Sequence, residues 1–305
     1  MFGGISPETP SAIGPGAANQ KNLGDSASDA PAQRRSTRLV QLSHPEEGRR
    51  AALVHQDELH LLATYRSVYQ FALAALDTGW TLRDLLSTDL SGVVLEYDEV
   101  HSLQTPWRFL PAFDHPREPG SCLVAGLTEA GWEYRGSGAS LTAHGEPLPI
   151  PEPGSAIRVP ELAAAYVIGY DGAPRRVGIA AGMRAPSFSA LGPELILELS
   201  FGEDLEGSVR VGREGREIWN RNIRREVSSP LADLLAAAEP EHFRRAAHRS
   251  RGNAHVCFFG SKLLTVDSPG MEDGDELIVE FGELGQALRA AIRVEEARPV
   301  TVRPL

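Results

Sequence analysis

The chain has 305 residues, 42% hydrophobic and 23% charged, a globular composition long enough for one large domain or two smaller ones. Its formal net charge of −11 argues against nucleic acid as a partner, because phosphate binding is driven by Lys and Arg. No apolar run approaches the roughly eighteen residues of a membrane span, and Cys122 and Cys257 lack metal-ligand spacing, which points to a reduced cytoplasmic protein.

Residues 1–35 are mostly Gly, Ser, Ala, Pro, Asn and Asp. Such a segment buries too little surface to offset its ordering entropy, so a disordered tail is expected. It has no apolar centre of the signal-peptide kind, and export is not implied. From Thr37 the pattern changes. Arg38–Leu42 and Ala51–His55 read as paired strands with Gln56-Asp57 near a turn. Ser67–Asp77 places apolar residues at helical spacing, with Ser67 as N-cap and Gly79 as stop. A second short helix over Thr81–Leu86 and a strand over Val93–Val100 complete a small α+β lobe, residues 36–120, ending in the linker around Phe109–Pro116.

The stretch from Arg158 to Arg184 organises the remainder. Two apolar runs flank Asp171-Gly172, the strongest short-range hairpin signal. Glu161 opens the first strand and Arg184 closes the second, so the two are expected near one edge. Further strands are expected over Leu195–Leu199, Gly207–Val211, Arg216–Trp219, His255–Phe259, Leu277–Phe281 and Leu288–Arg293, with a turn at Glu214-Gly215 and bends at Gly282 and Gly285. Leu231–Ala238 reads as a helix started by Ser228, Ser229 and Pro230. His144 reads as a turn residue, and His242 and His248, among four arginines, as part of a solvated basic face.

Val159-Pro160-Glu161-Leu162-Ala163, Glu133–Gly138, Leu191–Leu195, Val256–Gly260 and Gly274–Glu276, in that arrangement, resemble the fumarylacetoacetate hydrolase family over residues 36–295, with the bacterial sugar-acid (arabinonate-type) branch most similar. The resemblance implies a β-rich α+β fold: a distorted β-roll over residues 121–305 behind the small N-terminal lobe. It also implies a strand at Cys122–Ala125 and a divalent metal held by two acids spaced i, i+2 and a third after the hairpin. Side chains at i and i+2 share a strand face, so two such carboxylates can share an ion. Here Val159 holds the first position and Arg184 the third, leaving Glu161 alone. One carboxylate facing a guanidinium does not make a hard-cation site, so neither metal nor cofactor is expected.

The same resemblance shows Gly126–Gly131 in place of a longer lid, with Glu129 read mainly as a solvated loop residue. Seven residues between Arg184 and Gly192 replace a pocket-covering insert. Arg135 stands where many relatives have a substrate-facing lysine, and reads equally as a carboxylate clamp or a surface arginine. Glu194 is a candidate substrate contact or a segment anchor. His255 is turned toward the pocket by the resemblance. No Gly-x-Ser-x-Gly elbow or Gly-rich phosphate loop is present.

Two functions remain open. One is a metal-independent lyase, hydrolase, tautomerase or cyclase acting on a small carboxylate or dicarbonyl, such as a secondary-metabolite intermediate, through an enol-like species. Arg184 and Arg135 would be its electrostatic stabilisers and Glu161 or His255 its general acid–base. The other is a non-catalytic pseudoenzyme that binds a metabolite or a protein. A homodimer is a candidate assembly.

Overall fold

The computed structural model describes residues 36–197, 205–224, 231–260, 266–295 and 301–303. The expected tail, the helix start at Ser228–Pro230 and the end of the strand expected over 195–199 lie outside the described residues.

The chain begins with β1 (Arg38–His44), β2 (Gly48–His55) and β3 (Glu58–Leu62), an antiparallel meander with Gln56 at φ 55° in its second turn. Helix α1 (Val68–Thr78) starts where the Ser67 hydroxyl accepts from the Gln70 amide at 3.1 Å, and stops at Gly79, φ 70°. Thr81 caps α2 (Leu82–Thr88) in the same way, through the Asp84 amide. β4 (Leu90–Glu96) then pairs with β3. The strand expected over 93–100 is cut at Glu96, and residues 97–101 wind into α3 (Tyr97–His101). Tyr97 and Val100, one helical turn apart, are its buried pair, which a strand would put on opposite faces.

The segment read as a linker is packed structure. Its β5 (Arg108–Phe109) pairs with β1, and Phe109, Ala112 and Phe113 are fully buried. Buried Gln41 ties three elements: its amide nitrogen donates to Pro111 O at 2.7 Å, and its side-chain oxygen accepts from Val68 N at 2.9 Å.

β6 (Cys122–Thr128), β7 (Gly131–Ser137), β8 (Leu141–Thr142) and β9 (Pro147–Ile150) lead into the central hairpin, β10 (Arg158–Ile168) and β11 (Pro174–Arg184). The hairpin turns where expected: Gly172 sits at φ 75° and Asp171 Oδ1 accepts from Ala173 N at 2.9 Å. The remaining strands are β12 (Ser189–Leu191), β13 (Glu194–Ile196), β14 (Glu206–Arg213), β15 (Arg216–Arg224), β16 (Ala254–Phe258), β17 (Val266–Asp267), β18 (Glu276–Phe281) and β19 (Leu288–Val294). Helix α4 (Leu231–Phe243) runs past its expected end because His242 and Phe243 are buried in its last turn.

The main sheet runs β4-β3-β2-β1-β13-β11-β10-β16-β6-β7, and a second sheet runs β15-β14-β18-β19-β9. The fold is therefore α+β and strand-rich, as expected, and the described residues from 36 onward fall in one compact unit. The central hairpin is covered on both sides. Leu162, Ala164, Tyr166, Ile179 and Met183 pack toward the second sheet and α4, whereas Ala163, Ala165, Val167 and Ala180 pack toward Phe71, Phe113 and Phe258. Burial on both faces explains why its sequence reads as a continuous apolar run instead of an alternating one.

Candidate functional site

The base of the central hairpin is where polar chemistry enters this apolar layer. Leu162 pairs with Ala181 and Glu161 with Gly182, but Arg158 pairs with Arg184, so β10 carries one extra residue at its start. The extra residue breaks the alternation on which the i, i+2 expectation rested. Val159 does not share a face with Glu161; it is fully buried in the core beneath the second sheet. Arg158 takes the place across from Arg184, exposed at the cavity wall.

Glu161 and Arg184 meet as expected. Arg184 Nη2 lies 2.7 Å from Glu161 Oε1, with the two side chains 3% and 0% exposed. Glu161 Oε2 accepts from Gly260 N at 3.1 Å. Glycine makes room for both: a Cβ at position 126 would run into Arg184 Nη1, and one at position 260 into the Glu161 carboxylate. Despite the short contact, Arg184 Nε, Arg184 Nη2 and Glu161 Oε1 have no aligned hydrogen-bond partner. The attraction is therefore mainly charge on charge. Burial outweighs the guanidinium and pushes the Glu161 carboxyl up to about 7. Burial also lowers Arg184 below the usual arginine value; Glu161 opposes that, and Arg135 and Arg158 add to it.

Above the pair opens a cavity of about 680 Å³, lined by Arg184, Arg158, Arg135, Thr128, Glu129 and Glu133, among others. Its size suits a small-molecule ligand. Arg135 of β7 is anchored there, its Nη2 donating to the carbonyls of Ala185 and Pro186 at 2.9 Å each, and its Nη1 lying 3.3 Å from Glu133. Glu129, read from sequence as a solvated loop residue, is exposed on the β6–β7 turn but also forms part of the cavity wall.

Two expected site residues lie elsewhere. His255 is on the wrong face of β16. Phe258 pairs with Ala163 and the Gly260 amide touches Glu161, so the even-numbered residues share the layer of Glu161, and 255, 257 and 259 face the opposite core. There His255 Nδ1 lies 3.1 Å from His242 Nε2, beside Trp132, Phe243 and His248. Burial pushes His255 down to about 4 and His242 down to about 3. His242 is thus no part of a solvated face, being 2% exposed.

Glu194, expected as a substrate contact or a segment anchor, is placed as an anchor, apart from the lining of the cavity. Its carboxylate is taken by Tyr97 Oη (2.7 Å), Gln286 N (2.8 Å) and Arg38 Nη1 (2.9 Å), with no exposure. His144, expected in a turn, is also buried: its Nε2 lies 3.0 Å from His101 O and its Nδ1 accepts from Arg289 N at 3.3 Å.

The strand-rich α+β arrangement of two sheets around the central hairpin matches folds of the fumarylacetoacetate hydrolase type, as the comparison with solved structures shows. Among solved structures the chain is similar to 2-keto-3-deoxyarabinonate dehydratase (TM-score 0.60, 11% identity, covering 85% of this chain and 100% of that one). It is similar to 2-keto-3-deoxy-D-arabinonate dehydratase complexed with magnesium and 2,5-dioxopentanoate (TM-score 0.59, 12%, 85% and 100%). It is also similar to 2-hydroxyhepta-2,4-diene-1,7-dioate isomerase from Mycobacterium marinum (TM-score 0.53, 16%, 85% and 99%). No protein-family model and no curated protein matches the sequence.

The hairpin base does not fit the magnesium named for one of these proteins. Mg²⁺ demands an octahedron of oxygen ligands. Here a guanidinium stands against one oxygen of Glu161 and an amide donor against the other. Among the described residues, no group of three or more His, Cys, Asp or Glu is placed to hold a metal ion.

Proposed function

We propose that the cavity at the hairpin base binds a small anionic oxo acid or dicarbonyl compound, and that the protein acts on it as an enzyme through an enolate stabilised by guanidinium groups instead of a metal ion. The observation that carries this reading is the convergence of Arg184, Arg158 and Arg135 on one cavity, above a buried carboxylate that holds Arg184 in place. Fixed cations aimed at an oxygen where negative charge develops lower the barrier most when water is excluded around them, and Arg184 is only 4% exposed. The dehydratase and isomerase named in the similar structures act, by their titles, on small oxo and hydroxy acids, which agrees with the reading.

Glu161 is paired with Arg184 and fully buried, and Arg184 rather than Glu161 lines the cavity, so Glu161 acts as a positioning residue: it fixes and neutralises the guanidinium. Proton transfer belongs to a carboxylate that reaches the ligand, and Glu129 on the cavity wall has that access. In the proposed step the C3–H bond of the 2-oxo acid breaks, its electron pair forms the C2=C3 double bond, the carbonyl π pair moves onto the C2 oxygen beside Arg184, and Glu129 takes the proton.

The test needs no knowledge of the product. Incubated in D2O with 2-oxobutanoate or 2-oxopentanoate, the protein is expected to exchange the C3 protons well above the buffer rate by NMR. Glu129→Gln is expected to cut the rate by about 10²-fold or more, the usual share of a general base. Exchange no faster than in buffer, or undiminished in Glu129→Gln, contradicts the assignment.

A further inference from the structure

Among the described residues Arg158 makes no side-chain hydrogen bond and no ion pair, unlike Arg184 and Arg135, the other guanidinium groups of the cavity. Its position is nonetheless specified. The extra residue of β10 turns Val159 into the core and sets Arg158 directly across from Arg184. Bulges of this kind re-aim a side chain and gather beside functional sites. Like charges directly opposite on neighbouring strands destabilise a sheet, and here one of the two is buried, with two of its nitrogens lacking hydrogen-bond partners. Among the carboxylates whose side chains are described none pairs with Arg158, since Glu161 pairs with Arg184, Glu133 pairs with Arg135, and Glu129 stands exposed on the wall; on its other side the backbone of β10 pairs Arg158 with Asp267 of β17.

We infer that Arg158 is a specificity-determining residue: with Arg184 it forms a two-guanidinium clamp that selects a ligand carrying two adjacent anionic oxygens over a singly charged one. The inference rests on the enolate reading of this cavity. Deprotonating a 2-oxo acid moves an electron pair onto the oxygen next to its carboxylate, and the product is such a dianion. Each planar guanidinium presents paired N–H donors suited to an oxyanion pair. Two of them, one buried and one at the wall, meet the charge from two sides.

Oxalate, a stable dianion with adjacent carboxylates, is the probe, and acetate is the singly charged control. Both are titrated calorimetrically into the full chain at pH 7.5, with ionic strength held constant by NaCl. Wild type is expected to bind oxalate at least about tenfold more tightly than acetate, the worth of one charged hydrogen-bonding partner. Arg158→Gln is expected to lose that preference, weakening oxalate about tenfold and acetate less than about twofold, with an unfolding midpoint no lower than that of wild type because an exposed like charge has been removed. Arg158→Lys, which keeps the charge without the planar fork, is expected to fall between them and stands in if Arg158→Gln misfolds. A wild type without the preference, or an Arg158→Gln protein that keeps it, overturns the clamp. If the preference is absent while C3-proton exchange proceeds, the clamp falls and the enolate reading stands. A preserved, Arg158-dependent preference without exchange sinks the enolate reading and keeps the dianion clamp.

Discussion

Glu161→Leu is expected to cost about 3–5 kcal/mol of folding stability, the largest loss of any single substitution at the hairpin base. The side chain it removes is fully buried and is the counter-charge of Arg184. A guanidinium cannot shed its proton to escape burial. The reverse substitution is gentler. After Arg184→Met, Glu161 can protonate, and burial already favours its neutral form, having pushed it up to about 7. Arg184→Met should therefore cost less at pH 6 than at pH 8. The double change Glu161→Leu with Arg184→Met replaces the pair by apolar side chains of similar bulk and is expected to recover most of the loss, as buried pairs so replaced commonly do. Urea unfolding of the four proteins closes the cycle. Losses that simply add would show that the two residues do not interact.

The second large effect is on the acid side. His242, His255 and His144 are held neutral in the fold, burial pushing them down to about 3, 4 and 4. Unfolded, each titrates near 6.5. A depressed folded value means that the unfolded state binds more protons below pH 6.5, so this stability is present above that pH and lost as pH falls. Glu161 works the other way. Its raised folded value gives stability that is full below about pH 4.5 and lost as pH rises toward 7. Between pH 4.5 and 6.5 the two oppose, and three imidazoles outweigh one carboxylate at about 1.4 kcal/mol per group per pH unit. Because His242 and His255 share a hydrogen bond they charge as a coupled pair, so the net loss expected from pH 6 to pH 5 is about 1.4–3 kcal/mol. Stability that is flat or rising over that interval would mean that the imidazoles reach water.

Local signals in the sequence were sufficient wherever the structure is decided locally. Asp171-Gly172 turns the hairpin because Gly172 supplies the left-handed residue, and Ser67 and Gly79 bound α1 because a hydroxyl and a glycine satisfy or end a helix within one turn. The meeting of Glu161 and Arg184 was legible for the same reason, since both follow from one hairpin. Assignments of face were not. A single extra residue in β10 exchanges Val159 for Arg158, and no periodicity marks it. His255 misled because its face depends on the register in which β16 pairs with β10, and the two strands lie far apart in the chain.

 The pairing of His255 with Tyr166 decides its face, and pairing between distant strands is not written in either strand alone. His242 and Glu194 were misjudged for a related reason: their partners, His255 for one and Arg38, Tyr97 and Gln286 for the other, come from separate parts of the chain.

In the proposed mechanism guanidinium groups hold the charge that a cation would otherwise hold. The most direct test is the C3-proton exchange of 2-oxobutanoate, followed by NMR on protein dialysed exhaustively against EDTA and then supplemented with Mg²⁺ or Mn²⁺. The donor set at the hairpin base, one carboxylate already engaged by Arg184 and the Gly260 amide, predicts a rate well above buffer that neither chelation nor added metal changes. A rate abolished by EDTA and restored by Mg²⁺ would contradict it.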